Sequence, residues 1–206
     1  MENQNHAFNY AYLLKQVKAR VLLAQKKAIY TANEEMLSMY WDIGKLLSES
    51  QKQIGWGNNA LEKLANDLKN DYPEMKGFSV RNCQFMIQFY NEYNQQLTNT
   101  KRAVSYLNNN EIVLPISKLG WSHNITLMQR TKDIKARYWY MIQCLKNGWS
   151  RDFLIEAIKQ DYYHSHGALA SNFDTTLSEI QAKQVKETLK DPYIFDMLTF
   201  TEEYDE

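Results

Sequence analysis

Apolar positions recur at helical spacing over residues 10–50 of the chain. They form two stripes, one of Leu14, Val17, Val21, Ala24 and Ala28, the other of Met36, Tyr40, Ile43 and Leu47. Residues 31–33 lie between the stripes and are a candidate break. The pattern therefore predicts a long N-terminal helix pair, or one continuous helix if the break is absent. Such stripes usually face a core, and a coiled-coil dimer seam is the alternative.

A turn and a shorter helix come next. Gly55 and Gly57 flank Trp56 and indicate the turn. The helix that follows is predicted to bury one face, formed by Leu61, Leu64, Ala65 and Leu68. Because Pro73 disfavours the helical conformation of the residue before it, this helix should end near Asp71.

Another helix is predicted over residues 80–94, with Ser79 as its N-cap. Its buried face comprises Cys83, Met86, Phe89 or Tyr90, and Tyr93. The order of helix, turn and helix is typical of a DNA-binding helix-turn-helix, although this turn is longer than the usual length of about three to four residues. Asn82 lies towards the buried side, so we expect it to hydrogen-bond within the turn.

The C-terminal half has a less regular pattern. Residues 94–110 are poor in core formers and predict a loop, with a short β-hairpin at 104–114 as a wing. A short helix capped by Ser122 and a longer helix over residues 133–146 follow. The turn at 147–150 carries a helix-ending glycine and a capping serine, which predicts a second helix-turn-helix unit.

A final helix is predicted over residues 177–189. Helix breakers are scarce, with 3 Pro and 7 Gly, so the predicted fold class is all-α.

Cys83 and Cys144 lie in apolar helical patterns, which indicates reduced core thiols rather than a disulfide. No apolar run is long enough to span a bilayer, and the N-terminus lacks the features of a signal peptide. We therefore expect a cytoplasmic protein with no membrane partner.

The net charge of the chain is zero, but its basic and acidic residues are unevenly distributed. Residues 1–165 carry 21 Lys and Arg against 15 Asp and Glu, a net charge of +6. Residues 166–206 carry 3 Lys and Arg against 9 Asp and Glu, a net charge of −6. The moderately basic body is compatible with a polyanionic partner such as nucleic acid.

One face of the helix over residues 80–94 is polar and carries no acid. It presents Arg81, Gln84, Gln88, Asn91 and Gln95 at helical spacing. Arg binds guanine and Gln binds adenine through pairs of hydrogen bonds, so Arg81, Gln84 and Gln88 are the predicted base-reading residues. The predicted phosphate contacts are Lys63, Lys69 and Lys76, with Lys101 and Arg102 as further candidates. The alternative is an ordinary solvated helix face.

No complete catalytic or metal site is predicted. Ser122 and His123 are neighbours that face different directions on a helix, so they do not form a catalytic pair. His164 and His166 are two candidate metal ligands in a linker-like stretch, too few for a site. We therefore expect no catalytic residue, no metal and no cofactor in this chain.

Four motifs occur in order along the chain: 40-YWDIGKLLSE, 55-GWGNNALEKLANDLKNDYPEMKGFSVRN, 120-GWSH and 148-GWSRDFLIEAI. Together they resemble the N-terminal domain of the bacterial YhcG family over most of residues 10–165. The resemblance implies a helical module with a DNA-binding helix-turn-helix, which in the family precedes a nuclease domain of the PD-(D/E)XK type. The segment 191-DPYIFDML resembles the start of that nuclease domain.

The resemblance divides the chain into a DNA-binding helical module at 1–165, a linker and helix at 166–190, and the start of a truncated nuclease domain at 191–206. On this interpretation the chain is not itself an enzyme, whereas the full-length protein is a nuclease. Its predicted function is to dock duplex DNA for the absent catalytic domain. The alternative is a helical dimerisation or protein-interaction module, with a homodimer formed through the N-terminal helices. An exposed apolar stripe on residues 10–50 would favour that alternative.

Overall fold

The computed structural model describes residues 2–54, 58–98, 115–167, 188 and 190–194. All regular structure in these residues is helical, so the predicted all-α class is confirmed. The predicted hairpin at 104–114 and the cations Lys101 and Arg102 lie outside the described residues, as does nearly all of the predicted helix at 177–189.

Six α-helices follow one another along the described chain. They are α1 (Glu2–Ile54), α2 (Asn58–Asp71), α3 (Val80–Thr98), α4 (Trp121–Arg130), α5 (Ile134–Asn147) and α6 (Arg151–Lys159). Two 3-10 turns, Lys76–Phe78 and Ile116–Lys118, precede α3 and α4, and a π-helical turn at Tyr163–Gly167 follows α6. The predicted cap Ser150 accepts a hydrogen bond from the Phe153 amide, and Gly148 has the left-handed conformation expected after α5.

The N-terminal segment is one continuous helix, so the predicted helix pair is corrected to a single α1. The candidate break does not occur because Asn33 faces the core. Its Nδ2 donates to the carbonyl oxygens of Ser117 at 2.8 Å and Leu119 at 3.1 Å. A polar side chain that finds partners outside its own helix leaves the helical hydrogen bonds intact.

The two apolar stripes of α1 have different environments. Met36, Tyr40 and Leu47 are buried, as predicted for a core face. The first stripe was predicted to face a core, and this was wrong: side chains throughout residues 10–25 are exposed, and so is Ala28. Apolar spacing shows that a helix is amphipathic, but not which element covers it.

The C-terminal half of α1 crosses α3 at close range. Gly44 is the contact point, since a Cβ at that position would overlap the carbonyl group of Met86. On α3, the predicted buried face is confirmed by Cys83, Met86, Phe89 and Tyr93. This crossing leaves the opposite face of α3 towards solvent.

Trp121 lies at the centre of the core, fully buried at the start of α4. Its ring centroid is 5.0 Å from that of Tyr40 on α1 and 5.1 Å from that of Phe89 on α3. Ile194 is also fully buried in this cluster. The domain boundary at residue 191 remains a prediction. Ile194, which follows that boundary in the sequence, packs with the helical body.

Cys83 and Cys144 are both buried free thiols, as predicted. Burial raises the pKa of each thiol, which keeps both in the neutral, unreactive form.

Candidate nucleic-acid interface

The turn before α3 is held by a buried asparagine. Asn82 Nδ2 donates to the Gly77 carbonyl at 2.6 Å, and Asn82 Oδ1 accepts from Trp121 Nε1 at 2.7 Å. Ser79 Oγ accepts a hydrogen bond from the backbone N–H of Asn82 at 3.2 Å, which confirms Ser79 as the cap of α3. The predicted structural role of Asn82 is therefore confirmed, and the start of α3 is fixed against α4.

Arg81 and Gln84 lie on the first turns of α3 with exposed side chains. The Arg81 guanidinium carbon lies 5.5 Å from the centroid of the Phe85 ring on the same helix. This contact orients the guanidinium while its donors remain open to solvent. The two residues thus form an exposed polar pair on a helix whose N-terminus is held in place.

The later side chains of the predicted row are less exposed to solvent. Gln88 is half-buried, and its Nε2 donates to Glu92 Oε1 at 2.6 Å. Asn91 accepts a hydrogen bond from Ser48 Oγ at 2.8 Å and so belongs to the crossing of α1 and α3. The freely exposed part of the row is therefore shorter than the sequence spacing indicates.

Glu92 places a negative charge beside this row, but a buried cation offsets it. Arg137 on α5 donates from Nη1 to Glu92 Oε2 at 2.8 Å, and its side chain is only 3% exposed. Arg137 also donates from Nε to the Thr131 carbonyl at 3.0 Å, and its guanidinium lies 5.3 Å from the Tyr93 ring centroid. Burial raises the pKa of Tyr93 to about 12, against the opposing effect of Arg137. Sequence reasoning missed this pair because its members lie 45 residues apart.

The predicted phosphate contacts are exposed. Lys63 and Lys69 lie on α2, and Lys76 lies in the turn. Within the described residues, none of the three takes part in an ion pair. Lys76 precedes Arg81 by five residues, so these two cations lie at the same end of α3.

The helices α5 and α6, which the sequence predicts as a second helix-turn-helix unit, include one helix with mixed charge. α6 follows α5 after a short turn and exposes Asp152 and Glu156 beside Arg151. A hydrogen bond from Gln160 and the nearby charge of Lys159 lower the pKa of Glu156 and favour its anionic form. Residues 80–88 of α3 carry no acid, so α3 is better suited than α6 to a polyanion.

The predicted capping role of Ser122 is corrected by the structure. α4 begins at Trp121, and its cap residue Gly120 makes no side-chain capping bond. Instead, Asp191 Oδ2 accepts hydrogen bonds from the Ser122 amide at 2.8 Å and from Ser122 Oγ at 2.9 Å. A carboxylate at a helix N-terminus interacts favourably with the helix dipole. Asp191 therefore acts as the cap from a distant part of the chain.

His123 lies on α4, whereas His164 and His166 lie in the π-helical turn after α6. His123 is buried, with Nε2 2.9 Å from the Trp149 carbonyl oxygen. His164 is exposed, with Nδ1 2.7 Å from Asp161 Oδ1. Across the described ranges, no group of three or more His, Cys, Asp or Glu side chains could hold a metal ion.

Within the same described ranges, no helix has the length and apolar content needed to cross a membrane.

A family model described as the DUF1016 N-terminal domain matches residues 16–165. The match runs from within α1 to the π-helical turn after α6, and this is the N-terminal domain of YhcG-like proteins, as the four sequence motifs indicated. No curated protein and no solved structure matches the chain.

Proposed function

Because this chain belongs to the DUF1016 N-terminal domain family, we propose that it docks duplex DNA in the cytoplasm for a nuclease domain of the PD-(D/E)XK type. The proposal assigns binding and positioning to the helical module. It assigns no bond cleavage to residues 1–165, where the sequence offers no complete catalytic set.

The exposed, acid-free start of α3 is the observation that supports this proposal most strongly. Arg81 and Gln84 face solvent there, while Asn82 between them is buried and holds the helix against α4. A recognition helix needs this combination, because its N-terminal residues must reach base edges from a rigidly held backbone.

Each side chain of the row has a defined chemical role in this proposal. Arg81 donates two hydrogen bonds to guanine, and Gln84 forms a donor and acceptor pair with adenine. Gln88 reaches the groove from the third turn, where Glu92 already orients its amide. Lys63, Lys69 and Lys76 contact phosphates and carry no sequence information.

Salt dependence tests the proposal directly. Binding of the chain to random duplex DNA should weaken steeply between about 50 and about 200 mM salt, because each neutralised phosphate releases counterions. Lys76→Ala should lower the slope of log affinity against log salt by about 0.9. Lys132→Ala, an exposed lysine after α4, is the matched control and should leave the slope unchanged. Absence of binding at about 50 mM salt would rule out DNA docking by this module.

A double variant tests the named face. Arg81→Ala with Gln84→Ala should weaken binding to a preferred sequence by at least about tenfold, since each base contact contributes about 1–3 kcal/mol of discrimination. The matched control removes the same residue types from α6 and the residue after it, as Arg151→Ala with Gln160→Ala, both exposed. Equal losses in the two double variants would show that α3 is not the reading helix.

The exposed N-terminal part of α1 favours a second candidate function, a protein-interaction module. It concerns a surface separate from the exposed start of α3, so the two functions do not exclude each other. The salt titration distinguishes them, because a module with only the second function would bind no DNA at any salt concentration.

A further inference from the structure

The N-terminal part of α1 is exposed over residues 10–28 except for one half-buried lysine, and we name this segment the α1 arm. At a rise of about 1.5 Å per residue the arm is about 28 Å long. Large apolar side chains on it remain open to solvent, for example Val17 at 50% and Val21 at 51% exposure. Soluble proteins rarely leave a continuous apolar surface of this length uncovered.

The spacing of the arm's apolar positions matches a coiled coil. The positions are Tyr10, Leu14, Val17, Val21, Ala24 and Ala28, in alternating steps of four and three residues. This is the repeat of about 3.5 residues by which two helices stay in contact along a shared seam. At about 100° per residue the seam lies about 100° around the helix from the face of Met36 and Tyr40 that contacts the core. The seam is thus a surface separate from the core face.

We propose that the occupant of the seam is the arm of a second copy of the chain, in a parallel, in-register, two-stranded coiled coil. A helical partner must present apolar residues at the same repeat, and a second copy does so along the whole seam. Leu14, Val21 and Ala28 occupy one set of core positions, and Tyr10, Val17 and Ala24 occupy the other. The inference does not depend on DNA binding by α3.

The charges beside the seam favour the parallel orientation. The arm carries five cations and no acid, namely Lys15, Lys18, Arg20, Lys26 and Lys27. In a parallel pair, Leu13, Arg20 and Lys27 of one copy lie opposite Lys18, Gln25 and Ala32 of the other. No cation then faces a cation across the seam. An antiparallel pair centred on the arm would place Arg20 opposite Arg20 of the second copy, which is repulsive.

The cations also argue against a membrane surface as the occupant. An interfacial helix segregates its polar residues on one face. Lys18 lies on one flank of the seam and Arg20 and Lys27 on the other, while the far side exposes Tyr12 and Leu23. Exposed apolar side chains, including Leu13 and Leu22 outside the seam, therefore lie on several sides of the arm, which does not have one apolar and one polar face.

Light scattering of the full chain without DNA tests the inference. The expected mass is twice 24.4 kDa at high protein concentration. Val21→Asp in the seam should weaken the dimer at least tenfold, whereas Leu23→Asp, at a position 61% exposed on the far side, should leave it unchanged. Urea unfolding should be similar for both variants at low concentration, because neither residue is packed in the core.

Disulfide trapping tests the orientation. Tyr10→Cys should yield a covalent dimer under mild oxidation only if the arms are parallel and in register, and Tyr12→Cys on the outer face should not. Adding salt should strengthen the dimer by screening the cations, opposite to its effect on DNA binding. A monomer at all concentrations, equal effects of the two Asp variants, or a monomer that binds phosphatidylserine vesicles would overturn the inference.

Discussion

At the residue scale, Asn82 joins three elements through one side chain. It connects the turn at Gly77, the start of α3 and the indole of Trp121 on α4. The Gly77 carbonyl and the Trp121 indole N–H are both buried, so each would lose its hydrogen-bond partner without the side-chain amide of Asn82. Asn82 therefore determines how the exposed neighbours Arg81 and Gln84 are presented.

We expect Asn82→Ala to lower the free energy of unfolding by about 3 kcal/mol, because two buried polar groups lose their partners. Urea denaturation followed by far-UV circular dichroism measures this change. Gln84→Ala, exposed on the same helix, should change it by less than about 0.5 kcal/mol. A similar small effect for both variants would contradict the role assigned to Asn82.

At the element scale, α1 is one helix whose two halves have different environments. Its C-terminal half forms the core with α3, whereas the side chains of its α1 arm, including those of the seam, are exposed. Gly44 permits the close approach in the packed half, although glycine within a helix costs about 1 kcal/mol relative to alanine. The crossing of α1 and α3 needs a position without a Cβ. Packing between the two helices therefore offsets the low helix propensity of Gly44.

Gly44→Ala should destabilise the protein by about 1–3 kcal/mol even though it raises the helix propensity of α1, because the new methyl group overlaps the Met86 carbonyl. Ser38→Ala, at an exposed position of the same helix, is the control and should be neutral or slightly stabilising. Thermal unfolding of the two variants measures the difference. Stabilisation by Gly44→Ala would show that α1 and α3 do not cross at this residue.

At the scale of the whole molecule, a late segment of the chain completes the helical body. Asp191 caps α4 across 69 residues, and Ile194 is buried with the central aromatic residues. The Ser122 amide lies in the first turn of α4, where backbone N–H groups have no partner within the helix. Asp191 supplies that partner.

Asp191→Ala should therefore accelerate hydrogen exchange of the Ser122 amide and lower the unfolding free energy by about 1 kcal/mol. Asp133→Ala removes an exposed cap from α5 and is the control. It should leave exchange at Ser122 unchanged. Unaltered exchange at Ser122 in Asp191→Ala would mean that the capping contact is not maintained in solution.

The sequence alone determined several helix ends and the buried face of α3, because the signals for them are local. Ser79 and Ser150 cap α3 and α6, Gly148 ends α5, and the buried residues of α3 follow from their spacing. Caps depend on neighbouring residues, and helical periodicity repeats every few positions. Both can therefore be recognised without knowing the fold.

Only the tertiary structure decided which stripe of α1 is covered and which distant polar groups meet. The stripes of α1 look alike in sequence, yet only the second meets a core. Asn33, Asn82 and Asp191 find their partners across 39 to 86 residues of chain. Burial and hydrogen bonding at such separations depend on how helices pack, and packing is a property of pairs of surfaces rather than of a local pattern.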